Sequence, residues 1–134
     1  MELKEFNFNE YFDDIKRIFK SANWSAYLKD DEKLKRAFEN SIYLLGAFDN
    51  SKLVGFIRCI GDGEHILLVQ DLIVDSDYYR QGIGTKLFKA VSEKYKDVRT
   101  FCLFTDIHDV RDNEFYKSVE MVKIEEKDTI SYIR

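Results

Sequence analysis

Between Gln70 and Ala90 the chain reads QDLIVDSDYYRQGIGTKLFKA, the stretch that most limits what it can fold into. Leu72, Ile73 and Val74 form an apolar run and Asp75-Ser76-Asp77 interrupts it. After Gly82-Ile83-Gly84 the apolar positions Leu87, Phe88, Val91 and Tyr95 recur at helical spacing. The pattern predicts a strand, a polar turn and a helix that opens at the glycines. The first amides of a helix have no intrahelical partner and the macrodipole is positive there, so such a turn can bind a phosphate or pyrophosphate through backbone alone. Glycine at 82 and 84 lets that backbone approach closely. Two other phosphate loops are excluded by spacing: a dinucleotide fingerprint needs glycine at 87, where Leu87 stands, and a P-loop needs four residues between its glycines and then Lys with Ser or Thr.

The loop Tyr79-Arg80-Gln81-Gly82-Ile83-Gly84 resembles the acyl-CoA pyrophosphate loop of the GCN5-related N-acetyltransferase (GNAT) family: Gln or Arg, two residues, Gly, one residue, then Gly or Ala. Tyr79 stands where Gln or Arg is usual, and Arg80 and Gln81 follow it. LIVDSDYY, RCIGDG at Arg58 to Gly63 and FYKSVEM at Phe115 to Met121 occur in the family's order and at its spacing, so the resemblance covers nearly the whole chain. It is similar in particular to small single-domain bacterial members and to the arylalkylamine, plant-chloroplast-type branch. The implied fold is α/β, one mixed and mostly antiparallel sheet flanked by helices, with the fourth and fifth strands splayed apart.

A chain of 134 residues fits one domain, 1–134, with a single substantial core. Cys59 and Cys102 lie in apolar runs and read as reduced core residues, and no His or Cys cluster has zinc-ligand spacing, so no metal is expected. The start lacks a signal-peptide pattern and no apolar run is long enough to span a bilayer, which gives a cytoplasmic expectation with no membrane partner. A net charge of −4 with scattered Lys and Arg argues against nucleic acid and weakly favours a cationic ligand such as an amine.

In chain order, Leu3 to Phe8 alternates as a first strand. Asn9 is the candidate cap of a helix with Phe12, Ile15 and Phe19 on one face, ending near Ala22, and Asp30 or Asp31 caps a second helix to about Asn40. Trp24 and Tyr27, in the connection, read either as core plugs or as walls of an acceptor pocket. Ile42 to Phe48 and Lys52 to Ile60 form a hairpin. Arg58, charged in an apolar strand, faces solvent or pairs with a carboxylate such as Asp62. His65 to Val74 is a fourth strand and Val98 to Thr105 a fifth. Asp106 to Asn113 is a polar connection, Glu114 to Val119 a short helix, and Val122 to Ile133 closing strand material.

The resemblance implies acetyl-CoA (coenzyme A) as cosubstrate. Its pantetheine arm would lie against the backbone of Leu72, Ile73 and Val74, and its pyrophosphate would be held by Tyr79, Arg80, Gln81, Gly82, Ile83, Gly84 and Thr85. A backbone amide freed by a bulge would stabilise the oxyanion. Tyr116 matches the family's general-acid tyrosine. The base is open between Asp71 and Asp106, the matching acidic positions, with His108 a third candidate; on a regular strand Asp71 points away from Gln70 and Leu72. Buried beside apolar residues, such a carboxylate would be basic enough for the task. Trp24, Tyr27 and Gln70 would meet the acceptor, a small-molecule primary amine attacking the thioester directly in a ternary complex. A non-catalytic acyl-CoA-binding module and a protein or peptide acetyltransferase are the alternatives, and a homodimer is compatible with the family. Glu120 replaces the glycine of the family's Leu-Gly-Phe, which would cost roughly 1 kcal/mol at positive φ.

Overall fold

The computed structural model describes residues 1–134, which divide into two compact units, Met1–Leu103 and Phe104–Arg134. The first unit holds five strands: β1 (Glu2–Glu5), β2 (Tyr43–Asp49), β3 (Lys52–Gly61), β4 (Ile66–Val74) and β5 (Thr100–Leu103). They lie side by side in sequence order, antiparallel except for the parallel β4–β5 pair. That pair is joined by helix α3 (Ile83–Lys94), as a parallel crossover requires. Helices α1 (Phe12–Ser21) and α2 (Asp31–Glu39) complete the unit, with a 3₁₀ turn at Ser25–Leu28 between them. The expected fold class, a mixed and mostly antiparallel sheet flanked by helices, is the one observed.

Each face of the sheet is closed by the apolar stripe of its helices. On one side Ile15, Ile18 and Phe19 of α1 and Leu34 and Phe38 of α2 pack on Phe48, Leu53, Phe56 and Ile73. On the other Ile83, Leu87 and Val91 of α3 pack on Leu45, Val54, Ile57, Leu67 and Val69. Phe19 meets Phe56 edge-on at 5.5 Å between ring centroids, so aromatic ring contacts run through the first core. Cys59 is fully buried and Cys102 half-buried; both are free thiols, and burial pushes the Cys59 thiol up to about 12.

Several boundaries differ from the sequence reading. Pairing of β1 stops at Glu5, because the chain then turns so that Phe8 enters the core and its carbonyl accepts from Tyr11 N. The asparagine that organises this turn is Asn7, which accepts from Glu10 N at 3.0 Å, and not Asn9; α1 begins after Tyr11 with no side-chain cap. Asp30 caps α2 as expected, accepting from Lys33 N.

In the second unit α4 (Val110–Ser118) starts four residues earlier than Glu114, because Asp109 caps it by accepting from Asp112 N at 2.9 Å. Residues 122–134 form no strand. A 3₁₀ turn occupies Ile124–Lys127, and Ile130, Tyr132 and Ile133 are exposed, so their β-type alternation has no sheet to join.

Candidate active site

The register of β3 against β4 carries the central irregularity. Cys59 lies opposite Val69 and Arg58 opposite Asp71, leaving Gln70 as an extra residue, a β-bulge. The bulge resets which residues share a face. Leu67 and Val69 before it, and Leu72 and Val74 after it, all belong to the α3 side, whereas Ile73 packs on the α1–α2 side. Asp71 does not point away from Gln70 as it would on a regular strand, because the bulge turns both side chains toward Tyr27. Gln70 Nε2 donates to Tyr27 Oη at 3.2 Å, and the same phenol feels Asp71. Burial first, and the Asp71 charge second, raise the Tyr27 hydroxyl above its ordinary pKa. Two consecutive side chains of β4 thus converge on one tyrosine.

Arg58 is 5% exposed and Asp71 1% exposed, and they form an ion pair with Nε 2.6 Å from Oδ2. Nη1 of Arg58 donates to Ala37 O and Ser41 Oγ, both at 3.2 Å, and the guanidinium lies 5.0 Å from the Phe38 ring centroid. The partner suggested from sequence, Asp62, is engaged elsewhere. Its Oδ1 accepts from the backbone N–H groups of Glu64, His65 and Ile66 in the β3–β4 turn, which holds its carboxyl at about 2. Asp71 is therefore not an isolated carboxylate beside an apolar strand. Its Oδ1 is nonetheless buried and makes no hydrogen bond of normal geometry, so the carboxylate relies on the Arg58 ion pair and on the nearby Tyr27 hydroxyl. Trp24, half-buried, stacks on Phe19 at 5.9 Å, and Tyr27 lies 4.8 Å from the same ring.

Past the bulge, β5 stops. It pairs with β4 only from Ile66–Thr100 to Val69–Leu103, so no strand covers Gln70 to Val74 on that side. This is the splay expected of the fourth and fifth strands, and it leaves ladder groups of Leu72, Ile73 and Val74 without a sheet partner.

The chain then turns into α3. Arg80 has φ +65° and Gly82 has φ +74°, and the first intrahelical bond runs from Lys86 N to Gly82 O. The amides of Ile83, Gly84 and Thr85 precede it and have no intrahelical acceptor. Arg80, Gln81 and Gly82 are exposed, Tyr79 is half-buried, and a Cβ built on Gly82 would meet nothing within 4 Å. The glycine is required by its positive φ, and the space before it is open. A helix N-terminus, a left-handed glycine and open room fit a pyrophosphate.

In the second unit Tyr116 lies on α4, half-buried, with its ring 5.2 Å from that of Phe115. Asp106 is exposed in the turn before α4; its Oδ1 accepts from His108 N and its carbonyl from Asn113 Nδ2. Burial, and after it the charge of Asp109, raises the Asp112 carboxyl. Glu120 adopts φ +68° and donates its N–H to Lys117 O, while Met121 N donates to Tyr116 O, a Schellman closure built on glutamate. No group of three or more His, Cys, Asp or Glu side chains is placed to hold a metal ion, and no helix is long and apolar enough to cross a membrane. The signal for the bulge was faint in sequence: a single cation, Arg58, in an apolar strand.

The Acetyltransferase (GNAT) family profile matches residues 8–120. The chain belongs to the GNAT acetyltransferase family. A GNAT-family acetyltransferase from Streptococcus pneumoniae TIGR4 superposes with a TM-score of 0.80 at 28% identity, over 99% of this chain and 94% of that one. An N-acetyltransferase from Thermoplasma acidophilum, solved in complex with coenzyme A, superposes at 0.68 with 20% identity, over 88% of this chain and 87% of that one, and shares the fold. An uncharacterized N-acetyltransferase (ycf52) from Gracilaria tenuistipitata var. liui is 28% identical over 87% of this chain. The chain spans 65% of that relative's length and 54% of a similar one from Prochlorococcus marinus.

Proposed function

We propose that this GNAT protein is an acetyl-CoA-dependent N-acetyltransferase acting in the cytoplasm on the primary amine of a small molecule, by direct attack in a ternary complex. The observation that carries the reading is the continuity of three features along β4: a bulge at Gln70, an uncovered edge from there to Val74, and the left-handed Gly82 opening α3. Pantetheine would pair with the backbone of Leu72, Ile73 and Val74. The pyrophosphate would sit on the amides of Gln81 to Thr85, with Tyr79 and Arg80 flanking it. A backbone N–H of the bulged segment would face the thioester oxygen as negative charge develops on it.

The acceptor arrives as an ammonium ion and must lose a proton before its lone pair can attack the thioester carbon. Asp71 is the better-supported route for that proton, because it keeps an oxygen outside the Arg58 pair and interacts with the Tyr27 hydroxyl. At 1% exposure it would act through the Tyr27 hydroxyl rather than by touching the amine. Asp106 remains the second carboxylate in the reading, supported by its match to the family position. Tyr116, carried by the match of Phe115-Tyr116-Lys117 to the family motif, would return a proton to the departing CoA thiolate. Trp24 and Tyr27 would supply an aromatic wall to the acceptor and Gln70 a hydrogen bond.

Thiol release from acetyl-CoA across a panel of arylalkylamines, polyamines, aminoglycosides, amino acids and peptides tests the reading. Release with one amine class, falling about 10²–10⁴-fold in Tyr116→Phe while CoA still binds, is expected. CoA binding without release on any amine would favour an acyl-CoA-binding module, and release with peptides alone a protein-directed enzyme.

A further inference from the structure

We infer that Arg17 and Ser21, on α1, are positioning residues for the cofactor loop, acting through Asp75 and Ser76; the inference rests on the acetyl-CoA reading of that loop. Asp75 follows the last residue of β4 and is 3% exposed. Every polar atom it has is engaged. Its N–H donates to Val54 O at 2.8 Å, and its carbonyl accepts from Tyr78 N at 2.8 Å. Oδ1 accepts from Asp77 N at 3.0 Å, and Oδ2 accepts from Arg17 Nη1 at 2.5 Å.

Arg17 is itself oriented by α1 and β3. Nη2 donates to Asp14 Oδ1 at 3.0 Å and to Leu53 O at 2.7 Å, while Asp14 Oδ2 accepts from Leu53 N at 3.2 Å. One turn further along α1, Ser21 Oγ accepts from Ser76 N at 3.3 Å. Two consecutive loop residues are thereby fixed to one helix. The point where the chain leaves the sheet sets the direction of everything up to Gly82, so the aim of the α3 N-terminal amides depends on this clamp. Anion binding by backbone needs its donors in place beforehand, since ordering them on binding would cost conformational entropy. These side chains lie outside the Gln81 to Thr85 stretch assigned to the pyrophosphate and bond to other parts of the protein.

Calorimetry of CoA on the full chain, with steady-state kinetics beside it, tests the inference. Arg17→Gln and Asp75→Asn are each expected to raise the CoA Kd about tenfold, with the double variant no worse than either single one. Arg17→Lys should recover part of the loss. At saturating acetyl-CoA, kcat and the amine KM should stay within about twofold of wild type, a split that general destabilisation would not give. Should these variants fail to fold, Ser21→Ala, which removes the bond from Ser76 N and the hydroxyl's own bond back to Ile18 O within α1, should still raise the Kd by about two- to threefold with little change in Tm. A Kd equal to wild type in the folded variants, additive losses, or a fall in kcat with Kd unchanged overturns the positioning role. Failure of wild type to bind CoA at all removes the acetyltransferase reading and the inference with it, which separates the two.

Discussion

Two buried aspartates, Asp71 and Asp75, lie four residues apart along β4 and its exit, each paired with an arginine, and the pairs are built differently. At the strand exit Asp75 spends both carboxylate oxygens, one on Arg17 and one on a backbone N–H. At the bulge Asp71 spends only Oδ2, on Arg58, and Oδ1 is left buried and makes no hydrogen bond of normal geometry. A fully used carboxylate fixes a backbone; a half-used one keeps capacity to take a hydrogen bond or a proton. The first pattern suits a structural clamp and the second a working group, and neither difference is visible from residue type, since both are aspartate facing arginine.

The largest expected effect separates the pairs by burial. Arg58→Leu strands the Asp71 carboxylate and should cost about 3–5 kcal/mol of stability in urea denaturation, much of it recovered when Asp71→Leu is added. Arg17 is 34% exposed at its side chain, so Arg17→Leu should cost clearly less, about 1–2 kcal/mol, because water can reach Asp75 when the guanidinium is gone. Equal losses would erase the distinction drawn here.

Tyr27→Phe sharpens the other half of the comparison. It removes the hydroxyl that interacts with Asp71 and should lower kcat/KM for the amine about tenfold, with CoA affinity unchanged. A third aspartate supplies the smallest effect. Asp62 holds the β3–β4 turn by three backbone N–H bonds with no buried cation, and its carboxyl is depressed to about 2. Its contribution is fully present above the ordinary carboxylate pKa near 4 and is lost as pH falls through about 2. Acid titration followed by amide exchange should show Asp62→Asn losing the pH dependence of this turn between those values.

The strand-loop-helix was legible because an apolar run, an acidic break and two glycines are all local signals. The bulge was not, because Gln70 carries no glycine and its extra position exists only relative to Arg58 and Cys59 across the ladder. For the same reason Arg58 was matched to Asp62, close in sequence, when its partner is Asp71, close in register. The start of α4 is not legible because the one apolar residue of its first turn, Val110, is exposed and gives no helical stripe, while Ile130, Tyr132 and Ile133 suggest a strand that no ladder supports. Glu120 stands where the family has glycine, which left open whether the turn keeps its positive φ; it does, at φ +68°. Glu120→Gly should therefore stabilise the chain by about 0.5–1 kcal/mol by thermal melting.

Amide spectra of the labelled chain titrated with CoA test the central claim most directly. Shifts concentrated in Gln81 to Thr85 and in Gln70 to Val74 are the expected result, placing the ligand along the uncovered edge of β4 and at the start of α3. Saturable binding that leaves those two stretches unmoved, or no binding at all, would contradict it.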